Sequence, residues 1–201
     1  MQFIVKTKIP DRYGVIGGSM RISGPEEEAK AVLEVARLML LAIRTAPKGK
    51  GIDDIEALIL TGKEKDTVAK EMHILAKEAG EHWTRDAINI EQATALVLIG
   101  LKGPKALGTQ CGACGYKNCN EMLSSGRREG RFFAGPNCTI KAIDLGIAIG
   151  SAVKTAQIHN VDNRVFFRAG VGAYRLKLMP DCTIIIGIPL AAIGKSPFFD
   201  R

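Results

Sequence analysis

Three short apolar runs constrain the fold most: Ala57 to Leu60, Ala95-Leu96-Val97-Leu98-Ile99-Gly100, and Thr183 to Ile188. None alternates apolar with polar residues. A strand of that kind is covered on both faces, so helices must lie on either side of it. Helical periodicities fill the gaps. Ser23-Gly24-Pro25-Glu26 reads as a capping box, and Val32, Val35, Leu38 or Met39, and Ala42 recur behind it up to Pro47. Thr61-Gly62-Lys63-Glu64 is a second capping box. It precedes Val68, Met72, Leu75 and Ala79, with Gly80 as the stop. A long apolar helix starts near Thr139, with Ile143, Ile147 and Ala148 on one face and small residues at Gly146, Gly150 and Ala152. A further helix is predicted over Arg164 to Leu178, and the last strand is predicted to stop at Pro189. The class is α/β or α+β around a central sheet, in one domain.

Residues 1–19 lack helical periodicity and read as a leader or an extra N-terminal segment before a single domain over 20–201. The longest strongly apolar run, Cys182 to Ile193, holds a proline and is too short to span a bilayer. With no export signal, the sequence reads as cytoplasmic, where disulfides are rare.

The sharpest chemical signal lies in the glycine-rich segment 103–138. Cys111-Gly-Ala-Cys114-Gly-Tyr-Lys-Asn-Cys119, followed by Cys138, gives the spacing C-x2-C-x4-C-x18-C. Four thiolates suit a cubane iron–sulfur cluster, and also a structural zinc. Gly112 and Gly115 permit the sharp turns that would wrap three ligands around one face of a cluster, and Cys138 would close the site. Zinc more often joins two C-x2-C knuckles, and only one is present. Cys182 heads the last strand and reads as a buried apolar residue.

Residues 106–201 carry twelve basic and six acidic groups, so most of the net charge of +7 lies there. With aromatics at 5% and no Lys/Arg stripe on any helix, a nucleic-acid surface is disfavoured. Lys117, Arg127, Arg128 and Arg131 instead suggest a local anion, either a phosphate or a negatively charged metal–thiolate centre, whose reduced state the arginines would stabilise. Arg44, Lys48 and Lys50, with Gly49 and Gly51 between them, form a second basic group able to hold a phosphate, and Lys195 is a further candidate. His73, His82 and His159 share no ligand spacing. Asp144, on an otherwise apolar helix, is expected to pair with Lys141. No Ser/His/Asp set or carboxylate pair points to hydrolysis.

The Cys-Gly-x-Cys-Gly-Tyr-x-x-Cys motif with its distal cysteine resembles the [4Fe-4S] motif of the B subunit of Rnf-type ferredoxin oxidoreductases and of the corrinoid iron–sulfur protein's cluster domain. That resemblance implies Cys111, Cys114, Cys119 and Cys138 as ligands. Arg44-Thr-Ala-Pro-Lys-Gly-Lys-Gly-Ile-Asp-Asp-Ile, Val161-Asp-Asn-Arg-Val and the stretch Gly187 to Arg201 resemble bacterial and archaeal proteins described as containing a ferredoxin domain. The order of Ala-x-x-x-Ala-Pro, apolar strand, Thr-Gly-x-Glu-Lys and helix is similar to the FMN-dependent nitroreductases. That likeness implies an α+β sandwich, a central sheet flanked by helices with the cysteine-rich segment inserted, and a homodimer with FMN at its interface. Arg44, Lys48, Gly49, Lys50 and Lys195 would then be candidates for the flavin phosphate. Two nitroreductase features are missing: the Asn and Gln-Pro-Trp beside the flavin ring, and the N-terminal arginine–serine motif. The scaffold without flavin therefore stays open. The reading is an iron–sulfur redox protein acting with a partner protein or a small substrate; the alternative is a non-enzymatic module stapled by zinc or a cluster.

Overall fold

The computed structural model describes residues 22–199, so the segment 1–19 lies outside the described residues. A four-stranded antiparallel sheet has the order β1 (Ile55–Thr61), β2 (Ala95–Lys102), β6 (Cys182–Ala191), β5 (Asp162–Asn163). Side chains alternate between its faces as the pleat requires. From β2, Val97, Ile99 and Leu101 join α1 (Gly24–Thr45) and α5 (Thr139–Ile158) in one core. Leu96 and Leu98 join α2 (Gly62–Ala79), α3 (His82–Gln92) and α6 (Phe167–Arg175) in the other. Helices on both faces make an α+β sandwich and explain why the strands read as unbroken apolar runs. No helix among the described residues is long and apolar enough to cross a membrane.

Several boundaries differ from the sequence reading. The Ser23 and Thr61 side chains make no cap hydrogen bond. Pro25, in the first turn of α1, removes one of the two amides such a cap can bind, and Thr61 is still paired with Ala95 in the sheet when α2 begins. The last strand runs past Pro189 to Ala191. Gly187 exchanges hydrogen bonds with Phe166, while Leu190 O accepts from Thr94 N on the opposite side. By alternation Pro189 faces β5, between its Asn163–Leu190 pair and the Phe166–Gly187 bridge, where no ladder N–H is required. The same bridge holds Phe166 extended, so α6 starts at Phe167 rather than Arg164. Helix α3 went unassigned from sequence, although Trp83, Ala87 and Ile90 carry its buried face.

Helix α5 presents a different face from the one expected. Leu145, Ala148, Ala152 and Ala156 are buried together with Lys141 and Asp144, while Ile143 and Ile147 are 51% and 39% exposed. The helix is apolar almost all round, so periodicity did not distinguish its faces. Ala148, Ala152 and Ala156 face inward, where α5 packs closely on α1, while Gly146 and Gly150 lie on the exposed side.

Candidate functional site

The cysteine-rich segment runs from the end of β2 to the start of α5. Gly112 and Gly115 have φ of 70° and 86°, and Gly115 N donates to Gly112 O at 2.9 Å, closing the turn that carries Cys114. Side chains larger than hydrogen rarely adopt this left-handed backbone. Cys119 opens the short helix α4 (Cys119–Ser124). Asn118 Oδ1 accepts from Glu121 N at 2.9 Å, and Glu121 Oε2 accepts from Lys117 N at 2.6 Å. This reciprocal cap is written in the sequence as Asn-x-x-Glu and would have located α4. Gln110 Oε1 accepts from Cys119 N at 3.0 Å, a tie that no motif announces.

A short hairpin, β3 (Arg128–Glu129) with β4 (Ala134–Gly135), leads back to Cys138, which sits at the N-terminal cap of α5. Asn137 fixes this approach. Its Nδ2 donates to Ala134 O at 2.8 Å, and its Oδ1 accepts from the Thr183 hydroxyl at the head of β6.

Cys119 and Cys138 are buried, Cys114 is half-buried and Cys111 is exposed, all as free thiols. Cys138 shares a small core with Leu107 and Met122, and Cys114, Tyr116 and Ile140 pack against it. The structure thus brings Cys114 and Cys138 to one core. It does not bring all four sulfurs to one point: among the described residues no group of three Cys, His, Asp or Glu side chains is close enough to hold a metal ion. The donor chemistry fits a metal–thiolate centre nonetheless. The Thr109 hydroxyl, then the amides of Ala113 and of Cys111 itself, hydrogen-bond the Cys111 thiol and hold it below its ordinary range. Groups that favour a thiolate also favour a metal ligand. Cys182, fully buried, is pushed up to about 12 by burial first and then by Glu56. It is the inert apolar residue expected.

Of the neighbouring cations, Arg127 is placed differently from the sequence expectation. Arg127 turns toward the α6–β6 connection, where it donates to Tyr174 Oη at 2.9 Å, Pro180 O at 3.1 Å and Cys182 O at 3.3 Å. Arg131 lies over the Phe132 ring, its Cζ 4.9 Å from the centroid.

The second basic group lies between α1 and β1, around a single 3-10 turn at Gly49–Gly51. Several of its donors are engaged within the protein. Lys48 Nζ donates to Ile43 O, Arg44 O and Ala46 O at 2.6, 2.7 and 2.9 Å, completing the C-terminal end of α1. Arg44 pairs with Asp53. The amides of Gly51 and Ile52 bond Lys48 O and Gly49 O, and Gly49 N donates to Asp144 Oδ1 at 2.9 Å. Lys50 is exposed, and Lys195 lines a separate cavity of about 370 Å³ with Gln92 and Ser196. As placed, Lys48 and the amides of Gly49, Gly51 and Ile52 already have acceptors within the protein, while the Arg44 and Lys50 side chains stand exposed.

A buried charge network lies beneath the loop. Lys141 Nζ donates to Ile52 O at 2.6 Å and lies 3.0 Å from Asp54 Oδ2 and 3.6 Å from Asp144 Oδ2. The expected pairing of Asp144 with Lys141 is thus present, but Lys141 is closer to Asp54, and Asp144 Oδ2 accepts no hydrogen bond. Lys105 Nζ donates to Asp54 Oδ1 at 2.8 Å. Burial is the largest single influence on the Asp54 carboxyl and pushes it up. The hydrogen bonds and charges of Lys105 and Lys141 together outweigh burial and hold it below its ordinary value.

A protein of Archaeoglobus fulgidus described as an uncharacterized protein is 39% identical over 182 residues, covering 90% of this chain and 98% of that protein. The family described as "Uncharacterized protein containing a ferredoxin domain" matches residues 134–201, which include Cys138, α5 and β6. The chain belongs to this ferredoxin-domain family. Its fold is that of the nitroreductases. Nitroreductase CinD from Lactococcus lactis, solved in complex with chloramphenicol, has a TM-score of 0.52 at 16% identity, over 89% of this chain and 86% of that chain. A nitroreductase with bound FMN from Desulfitobacterium hafniense has a TM-score of 0.51 at 12% identity, over 81% and 78%. At these identities the likeness establishes the scaffold. The ferredoxin-domain protein places its cysteine-rich segment, in chain order, between strand β2 and helix α5 of that scaffold.

Proposed function

We propose that this ferredoxin-domain protein is an iron–sulfur redox protein of the cytoplasm. Cys111, Cys114, Cys119 and Cys138 would ligate one [4Fe-4S] cluster, and electrons would pass to or from a partner protein or a small substrate. The observation that carries the proposal is the packing of Cys114 against the core of Cys138, two thiols from opposite ends of a segment whose turns are fixed by Gly112 and Gly115. A bound cluster supplies one-electron transfer. The chain's own residues prepare the ligands. Cys138 stands at the N-terminal cap of α5. Gln110 and Asn137 hold the backbone at Cys119 and Cys138, and hydrogen-bond donors surround Cys111. No step is assigned to flavin, since Lys48 and the amides of Gly49, Gly51 and Ile52 are already engaged.

Anaerobically purified protein is expected to be brown, with iron and acid-labile sulfide in equal amounts and an EPR signal on reduction. Replacing any one of Cys111, Cys114, Cys119 or Cys138 by Ser should weaken iron retention by about tenfold or more, and Cys182→Ser should leave it unchanged. Colourless protein holding one zinc per chain would refute the redox reading in favour of a stapled binding module. A yellow chromophore released on denaturation would add a flavin held by groups other than Lys48 and Arg44.

We further propose that the protein is a homodimer. Leu38 and Leu41 on α1, and Ile143 and Ile147 on the adjacent α5, expose large apolar side chains, and Gly146 and Gly150 leave open space beside them. A second copy is the partner that would cover them. Sedimentation should find a dimer for the natural chain and a monomer for the double variant Ile143→Asp, Ile147→Asp. An unchanged sedimentation coefficient in the variant would rule out this face.

A further inference from the structure

The loop 48–54 is tied to both flanks of the cysteine-rich segment. From the flank before Cys111, Lys105 holds Asp54 Oδ1, and Lys102 N donates to Asp54 O at 2.9 Å. From the flank after Cys138, Lys141 holds Ile52 O and Asp54 Oδ2, and Asp144 receives the Gly49 amide. Shape adds to these polar ties. A Cβ on Gly49 would stand 2.7 Å from Leu107 Cδ2 and 3.5 Å from Ile140 Cγ2. Leu107 belongs to the core that buries Cys138 and receives Cys114. The loop therefore closes over the cysteine core with the clearance of a single hydrogen atom.

We infer that the 48–54 loop is a latch on the cysteine-rich segment, so that the shape of the loop and the readiness of the thiols to hold metal are one equilibrium. The position at which a phosphate was expected serves to hold the cysteine core closed. Coupling of this kind is reciprocal: whatever factor metal binding contributes to loop closure, loop closure returns to metal affinity. The metal half of this inference rests on the proposed role of the cysteines; the mechanical half does not.

Hydrogen exchange on the full chain separates the two halves. Gly49→Ala keeps an accessible backbone conformation, and its methyl crowds only the flexible end of Leu107, with Ile140 at ordinary contact distance, so the variant is expected to fold. In metal-free protein it should speed exchange about tenfold at Ile52 in the loop and also at Gly115, Met122 and Ala142 in and beside the cysteine-rich segment. Asp144→Ala, which frees the Gly49 amide by a different route, should do the same. Loading the natural chain with iron and sulfide should slow exchange at Gly51 and Ile52 about tenfold. Exchange that rises only within 48–54 in both variants would overturn the latch, as would iron loading that leaves the loop unchanged. Spread of exchange into the cysteine-rich segment in a chain that takes up no iron would support the latch and defeat the metal reading.

Discussion

Gly170→Ala is expected to destabilise the fold by roughly 3 kcal/mol or more, at or above the top of the usual range for overpacked cores. Helix α6 lies so close to β6 that a Cβ on Gly170 would fall 1.8 Å from Ile185 O, 2.5 Å from Ile185 C and 2.9 Å from Ile186 Cα. All three are backbone atoms of a strand paired with β2 through this stretch and bridged to Phe166 at Gly187, so no side-chain rotation relieves the contact. Either α6 lifts from the sheet, opening the core around Ala169, Val171 and Ala173, or β6 shifts and disturbs both ladders. For a chain of this length the melting temperature should fall by about 6–12 °C. Gly172→Ala, two residues on, is the control. Its Cβ meets Met72 Cγ, Val68 Cγ1 and Val68 O at 3.2 Å, contacts eased by a few tenths of an ångström, so its loss should be clearly smaller. Equal melting temperatures for the two variants would show that α6 is not held at this distance.

The legibility of the sequence follows the same division between local chemistry and tertiary contact. The strands were visible because helices cover both faces of the sheet, which leaves Leu96 to Ile99 without a polar residue. Antiparallel pairing and the order β1-β2-β6-β5 leave no such trace in the strands. Helix α1 ended where Pro47 required. Pro189 suggested a strand end, yet the strand runs through it because its neighbour β5 has a gap just there, a fact of pairing rather than of propensity. At the site, cysteine spacing and turn glycines marked the right segment, and the Asn118–Glu121 cap was readable though unread. The roles of the cations were not readable. Lys48 and Arg127 look alike in sequence as free positive charge, yet one completes the end of α1 and the other fastens the hairpin to β6. Only the fold decides which carbonyls come within reach of a long side chain.

Lys141→Met should cost about 3–5 kcal/mol near neutral pH, the range for removing one partner from a buried ion pair. Lys141 is 1% exposed, and methionine fills nearly the same space, so the loss is electrostatic rather than a cavity. The variant leaves Asp54 with Lys105 alone and Ile52 O without its donor. Against a typical total of about 5–15 kcal/mol, that is a large share. Its pH dependence has a definite sign. In the natural chain the Asp54 carboxyl is held below its ordinary value of 3.8, so its contribution is complete above that pH and is lost as pH falls through the lower folded value. Without Lys141, burial, which pushes the carboxyl up, is opposed by one lysine instead of two. The folded value rises, and protonation then removes a poorly compensated buried charge. The deficit of the variant relative to the natural chain should therefore be greatest near neutral pH and shrink as pH falls through about 4 toward 3. Urea unfolding of both proteins at several pH values across this window measures the difference directly. A deficit constant across the window would mean that Lys141 acts through its packed methylenes and the Ile52 hydrogen bond, with no net contribution from its charge at Asp54.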